Sequence, residues 1–289
     1  MSQSRRNTTS PGSRKRLAVH CRSHFARFPE SRARRPWAAL LTAELMITAA
    51  VAIGVPSVGA VIADGRRSTQ SEWRVPQLVV MPLGDSITYG TGSSTGSGYR
   101  AELRNLLASH SKDVRFVGSQ RSGEAPVREH EGHYGWKIGG LTGRTGQWLT
   151  AVKPNVVLLH IGTNDMHDDY RADQAPERLG QLVDEITNTA PGTTVLVSSL
   201  VPSADRRTQN RIKKFNAAVL KLVTDRRNAG FQTGYVDMGN VTTSDLRDEL
   251  HPNDNGYHKM AGAFYRGIAT AANEGWIRER TEPGHHHSS

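Results

Sequence analysis

The chain has 289 residues, a single cysteine and a formal charge of +10, enough length for one large domain or two small ones. The charge is uneven: ten of the 37 basic residues and one of the 27 acids fall in residues 1–36, so the remainder carries 27 basic and 26 acidic side chains. A body this close to neutral argues against a nucleic-acid partner, and Cys21, inside the basic leader, leaves the rest of the chain without a disulfide or a cysteine nucleophile.

After the leader comes WAALLTAELMITAAVAIGVPSVGAVIA, residues 37–63, apolar apart from Glu44 and ending in small residues. A charged region, an apolar core and a small-x-small site make a signal peptide, with cleavage after Ala60 or Ala63, and predict a secreted protein. The alternative is an uncleaved membrane anchor; Leu45 to Ala63 is barely long enough for one and Pro56 interrupts it. The twin arginines Arg34 and Arg35 are a weak match to a twin-arginine signal. Residues 64–76 read as a polar linker. A strand is then predicted at 77–83 (QLVVMPL), and a helix at 98–110 with Leu103, Leu106 and Leu107 at helical spacing. A strand at 113–119 precedes a helix at 141–152, which ends before Pro154. A buried strand starts at 155 and runs into a loop by 165. A helix at 174–190 is stopped by Pro191-Gly192, and a strand follows at 193–200. A long helix spans 204–230, with Asp205 as N-cap and Gly230 as stop. A strand at 231–239 and a closing helix at 253–275 complete the domain, 77–276, before a tail at 277–289 whose three adjacent histidines read as incidental.

Strands alternating with helices predict an α/β domain with a five-stranded parallel sheet and helices on both faces. Ligands of such sheets bind beyond the carboxyl ends of the strands. Gly84-Asp85-Ser86, Gly162-Thr163-Asn164-Asp165 and the segment after Asp237 fall there. The glycine-rich stretch YGTGSSTGSGY is a rival feature. Gly90, Gly92 and Gly96 give G-x-G-x-x-x-G, one residue too long for a dinucleotide fingerprint, and no Gly-Lys-Ser/Thr follows. It reads as a flexible loop.

A serine that attacks an ester needs a base, an acid to orient the base, and donors for the oxyanion. Ser86 ends the first strand, with Asp85 holding the turn through backbone amides. Asp248 and His251 stand at D-x-x-H spacing, so the acid can reach Nδ1 and leave Nε2 free; Asp245 is a weaker competitor for the acid. Asn164 offers a side-chain amide, Asp165 can brace its loop, and in EGHYGWKIGG either Gly135 or Gly132 can bring a backbone N–H close. Each residue alone has an ordinary reading as a turn, cap or surface residue.

Together and in this order these motifs resemble the SGNH (GDSL) hydrolase superfamily. The resemblance implies a flavodoxin-like three-layer α/β/α sandwich. It implies Ser86 as nucleophile, His251 as base and Asp248 as its partner. The oxyanion donors would be the Ser86 N–H, Gly135 and Asn164, with no cofactor and no metal. VVMPLGDSITYG, GSGYR, FVGSQ, EGHYGW, VVLLHIGTND and LHPNDNGYHKMA are similar to the acetylxylan esterases of carbohydrate esterase family 3. That similarity implies removal of O-acetyl groups from an acetylated polysaccharide or small ester. The protein would be a secreted monomer that meets the membrane only through its signal segment. A lipase or lysophospholipase on the same machinery is the alternative, although the loops hold few long apolar runs. A non-catalytic glycan-binding protein, with Tyr134, Trp136 and Trp148 stacking on sugars rather than packing, is the least favoured.

Overall fold

The computed structural model describes residues 73–278. The leader, the signal segment or anchor at 37–63, the linker up to residue 72 and the tail from 279 lie outside the described residues. No helix among the described residues is long and apolar enough to cross a membrane.

Valine and leucine runs with no polar alternation suit strands buried on both faces, and three of the strands, β1 (Gln77–Gly84), β5 (Val156–His160) and β6 (Thr194–Ser198), are of this kind. With β2 (Asp113–Phe116) and β7 (Thr233–Val236) they form a parallel sheet in the order β2-β1-β5-β6-β7. Successive side chains point to opposite faces. Leu78, Val80, Val156, Leu158 and Val236 therefore meet α2 (Arg100–Leu107) and α8 (Asp254–Asn273). Met81, Leu83, Val157, Leu159 and Val197 meet α4 (Thr145–Val152), α6 (Ala175–Thr189) and α7 (Arg206–Asn228). The result is the expected three-layer sandwich, and its strand order is the flavodoxin-like one, with the switch point between β1 and β5.

Local signals behave as their chemistry dictates. Asp205 caps α7, its Oδ1 accepting from Thr208 N at 2.8 Å, and Gly230 follows the helix at φ +92°. Three features depart from the sequence reading. Trp73 and Val75, within the stretch read as linker, are buried in the core. The helix read at 141–152 is two helices, α3 (Ile138–Leu141) and α4, with Gly143 at φ +79° between them. The sheet also gains a hairpin, β3 (Gln120–Arg121) antiparallel to β4 (Glu129–Gly132). β2 pairs with the first half of β1 (Gln77 to Val80), and β4 takes over at Leu83 and Gly84. The polar sequence of β4 hides it from a hydrophobicity reading.

Candidate active site

The site begins at the end of β1. A Cβ on Gly84 would stand 2.1 Å from the His160 carbonyl oxygen and 2.6 Å from Thr88 Oγ1, so only glycine lets β1 pass β5 here. The chain then turns directly into α1 (Ser86–Tyr89). Asp85 is its N-cap, with Oδ1 accepting from Ile87 N at 3.0 Å. Its other oxygen has no hydrogen-bond partner among the described residues. Complete burial drives this carboxyl up from 3.8 to about 7; the charge of Asp165 adds, while the Ile87 N–H and Thr163 oppose.

Ser86 is 5 % exposed, and its Oγ lies 2.9 Å from His251 Nε2. His251 Nδ1 is 2.8 Å from Asp248 Oδ2. The Leu250 and His251 N–H groups both donate to Asp248 Oδ1 at 2.8 Å. Partial burial opposes its ionisation, but these N–H groups and the imidazole hold the Asp248 carboxyl below its ordinary value. Asp245 is elsewhere: buried, it accepts from Thr242 N and Lys259 Nζ, each at 2.7 Å, and organises the turn ahead of α8. Gly92 fits the glycine-rich loop against this segment, where a Cβ would meet the Pro252 carbonyl oxygen at 2.5 Å. Tyr257 of α8 ties the two halves together by donating to the Ile87 and Thr91 carbonyls.

The flank is built from β4 and α5 (Thr163–His167). Asn164 is half-buried, and its Nδ2 donates to the Trp136 carbonyl at 2.8 Å; an amide carries a second N–H. Asp165 braces the loop as expected, accepting from Ile138 N at 3.0 Å and Arg178 Nη2 at 2.7 Å. The two candidate glycines differ sharply. Gly132 sits in β4 and its N–H donates to His130 Nδ1 at 3.0 Å. Gly135 lies at φ +74° in the turn closed by Trp136 N to His133 O at 3.2 Å, and its N–H has no partner among the described residues. Of the aromatic residues, Trp136 and Trp148 stack on His133 at 4.0 and 4.9 Å, whereas Tyr134 projects outward.

Behind the site stand polar residues that carry no sequence signal. Arg100 is fully buried and donates to the Thr88, Tyr89, Gly96, Ser122 and Val127 carbonyls and to Ser122 Oγ. Burial lowers its guanidinium to about 10, still protonated at neutral pH. Burial, with the charges of Arg100 and His133, pushes His130 down to about 3. It is therefore neutral: Nδ1 accepts from Gly132, and Nε2–H donates to Ser122 Oγ at 2.8 Å. Buried Glu131 accepts from Ser119 N and Oγ and from His133 Nε2, fixing the start of the Gly135 turn.

A serine hydroxyl against an imidazole whose other nitrogen is held by a carboxylate can lose its proton on attack, and this line of groups opens at the switch point of the sheet. Residues 83–259 match the GDSL-like Lipase/Acylhydrolase family. A family 3 carbohydrate esterase of Clostridium thermocellum is 32 % identical, with a TM-score of 0.62 over 68 % of this chain and 98 % of that one. A carbohydrate esterase family 3 structure from Talaromyces cellulolyticus is 24 % identical, with a TM-score of 0.60 over 69 % and 99 %, and shares the fold. A multidomain esterase of Ruminococcus flavefaciens is 27 % identical over 237 residues, 71 % of this chain but 30 % of that protein. This chain thus spans about a third of that relative's length. The chain belongs to the GDSL-like lipase/acylhydrolase family, the SGNH hydrolases, and is a carboxylic ester hydrolase.

Proposed function

We propose that this esterase is secreted and removes O-acetyl groups from a carbohydrate polymer such as acetylxylan, using Ser86, His251 and Asp248. The observation that carries the reading is the continuous line from Ser86 Oγ to His251 Nε2 (2.9 Å) and from Nδ1 to Asp248 (2.8 Å). The likeness to family 3 carbohydrate esterases supports the substrate class, and the leader followed by an apolar segment supports export.

Ser86 Oγ attacks the acetyl carbonyl as His251 Nε2 takes its proton, while Asp248 holds the Nδ1–H tautomer and balances the imidazolium. The oxyanion is met by the N–H groups of Ser86 and Gly135 and the second N–H of the Asn164 amide. His251 returns the proton to the sugar oxygen and the alcohol leaves. Water, deprotonated by His251, then releases acetate from the acetyl-serine.

The test is acetate release from acetylated xylan, beside p-nitrophenyl acetate and octanoate, with Ser86→Ala as control. Release from xylan that is lost in the variant supports the proposal. A preference for octanoate would transfer the chain to lipid esters. Binding of xylan that survives Ser86→Ala, with no turnover in the parent, would leave a glycan-binding protein.

A further inference from the structure

The geometry points to Tyr134 as the residue that receives the leaving sugar, its ring forming a platform for one pyranose face beside His251. The inference rests on the proposed esterase mechanism. Tyr134 is 67 % exposed, more than any other large apolar side chain among the described residues, and its hydroxyl has no hydrogen-bond partner there. Its one ring neighbour among the described residues is His251, with centroids 6.5 Å apart and planes 16° from parallel.

Neither the fold nor the turn calls for an aromatic residue at this place. In the turn from His133 to Trp136 the positive φ belongs to Gly135, in the third position; the second position, where Tyr134 stands, accepts most residues. A tyrosine left this exposed gains little from burial. A ring with an apolar face and a wet hydroxyl end suits a ligand that is itself part apolar and part hydroxylated.

The side of the site is decided by proton transfer. His251 must give its proton to the leaving oxygen, so that oxygen lies within hydrogen-bond reach of Nε2, and the rest of the alcohol extends away from the serine past the imidazole. Tyr134 stands beside that imidazole. The acyl group instead points its oxygen at Gly135 and Asn164. Tyr134 is therefore placed to discriminate among alcohols and not among acyl chains. A pyranose presents a face of axial C–H groups of about the area of one aromatic ring, which ethanol lacks.

The experiment varies the two halves of the ester separately in Tyr134→Ala and Tyr134→Trp. Acetylated xylotriose and ethyl acetate share the acyl group; ethyl acetate and ethyl butyrate share the alcohol. For Tyr134→Ala the expected result is about a tenfold fall in kcat/KM on acetylated xylotriose, chiefly through KM. The rate on ethyl acetate and the acetate-to-butyrate ratio stay unchanged, and Tyr134→Trp retains activity on the sugar. An equal loss on sugar and ethyl esters would assign Tyr134 to holding the Gly135 turn and overturn the proposal. No loss on any substrate, or a changed acyl preference, would overturn it as well. A parent protein that hydrolyses ethyl acetate but not acetylated xylotriose would instead refute the carbohydrate reading itself, and this proposal with it.

Discussion

Replacing Arg100 with methionine should cost about 4 kcal/mol of stability. Methionine fills much of the same volume but donates nothing. Six hydrogen bonds disappear, and three acceptors, the carbonyls of Thr88, Ser122 and Val127, have no other hydrogen-bond donor among the described residues. A buried carbonyl left unpaired costs roughly 1–3 kcal/mol, for a gross loss of about 3–9 kcal/mol. Against it stands the relief of no longer desolvating a guanidinium that has no carboxylate partner among the described residues, several kcal/mol for a buried ion, so the lower half of that range is the expectation. For a domain of this size the shift in Tm is about 10 °C. Urea unfolding followed by circular dichroism gives the midpoint and slope, and turnover of a small acetate ester gives the second readout. The Thr88 and Tyr89 carbonyls end the helix that starts with Ser86, so kcat should fall as well. Arg100→Lys, with three donors on a different stem, should recover only part of either loss. A methionine variant within 1 kcal/mol of the parent and with normal kcat would refute the idea that this cation organises the Ser86 turn.

Other consequences concern charge and backbone. Asp85 is 3.8 when unfolded and about 7 when folded, so the folded state binds the extra proton. Its contribution is full below about pH 4 and is lost as pH rises through 7. Asp85→Asn, which keeps the capping oxygen, should be more stable than the parent at pH 8 and show a flatter profile from pH 5 to 8; thermal melts across that range would contradict this if the two curves ran parallel. His160 has the opposite sign. It is buried with neither ring nitrogen hydrogen-bonded among the described residues, and burial lowers it to about 4. The neutral ring's contribution is present above pH 6.5 and lost as pH falls through 4, so His160→Leu should melt less readily than the parent at pH 4 while differing little at pH 7. At Gly132 a Cβ would meet Tyr89 N at 2.5 Å, while at Gly135 nothing lies within 4 Å. Gly132→Ala should therefore express poorly or lose several kcal/mol, and Gly135→Ala should fold with a penalty of about 1 kcal/mol for its positive φ; soluble, equally stable forms of both would count against the placement of β4.

β1, β5 and β6 were legible because their valine and leucine runs must be covered on both faces, and two helices because Leu103, Leu106 and Leu107 recur at helical spacing and Asp205 and Gly230 bracket the long one. Ser86, Asp248, His251 and Asn164 could be picked out by their place after strands and by the D-x-x-H spacing. That the Gly132 N–H is occupied was not legible, since it depends on where the His130 ring sends Nδ1. Arg100 resembles any solvent-facing base in an amphipathic helix, and nothing local marks it as buried. β4 escaped notice because His130 and Glu131 are polar; they are buried through partners distant from one another in sequence, Ser122, Gly132, Ser119 and His133. Periodicity registers burial driven by water's exclusion of carbon, not burial secured by polar partners.

The bond between Ser86 and His251 joins residues 165 positions apart, and it is kept in register by α8 through Tyr257. A ribosome or translocon delivers the serine, its turn and most of the sheet long before it delivers the imidazole. On the proposed mechanism a chain that still lacks its last forty residues should be silent toward esters. With His251 as the proposed base, hydrolysis should begin only when α8 docks and the segment ahead of it brings the imidazole to Ser86. Refolding followed by turnover should lag behind refolding followed by far-ultraviolet ellipticity, and the interval measures how long α8 takes to find its berth.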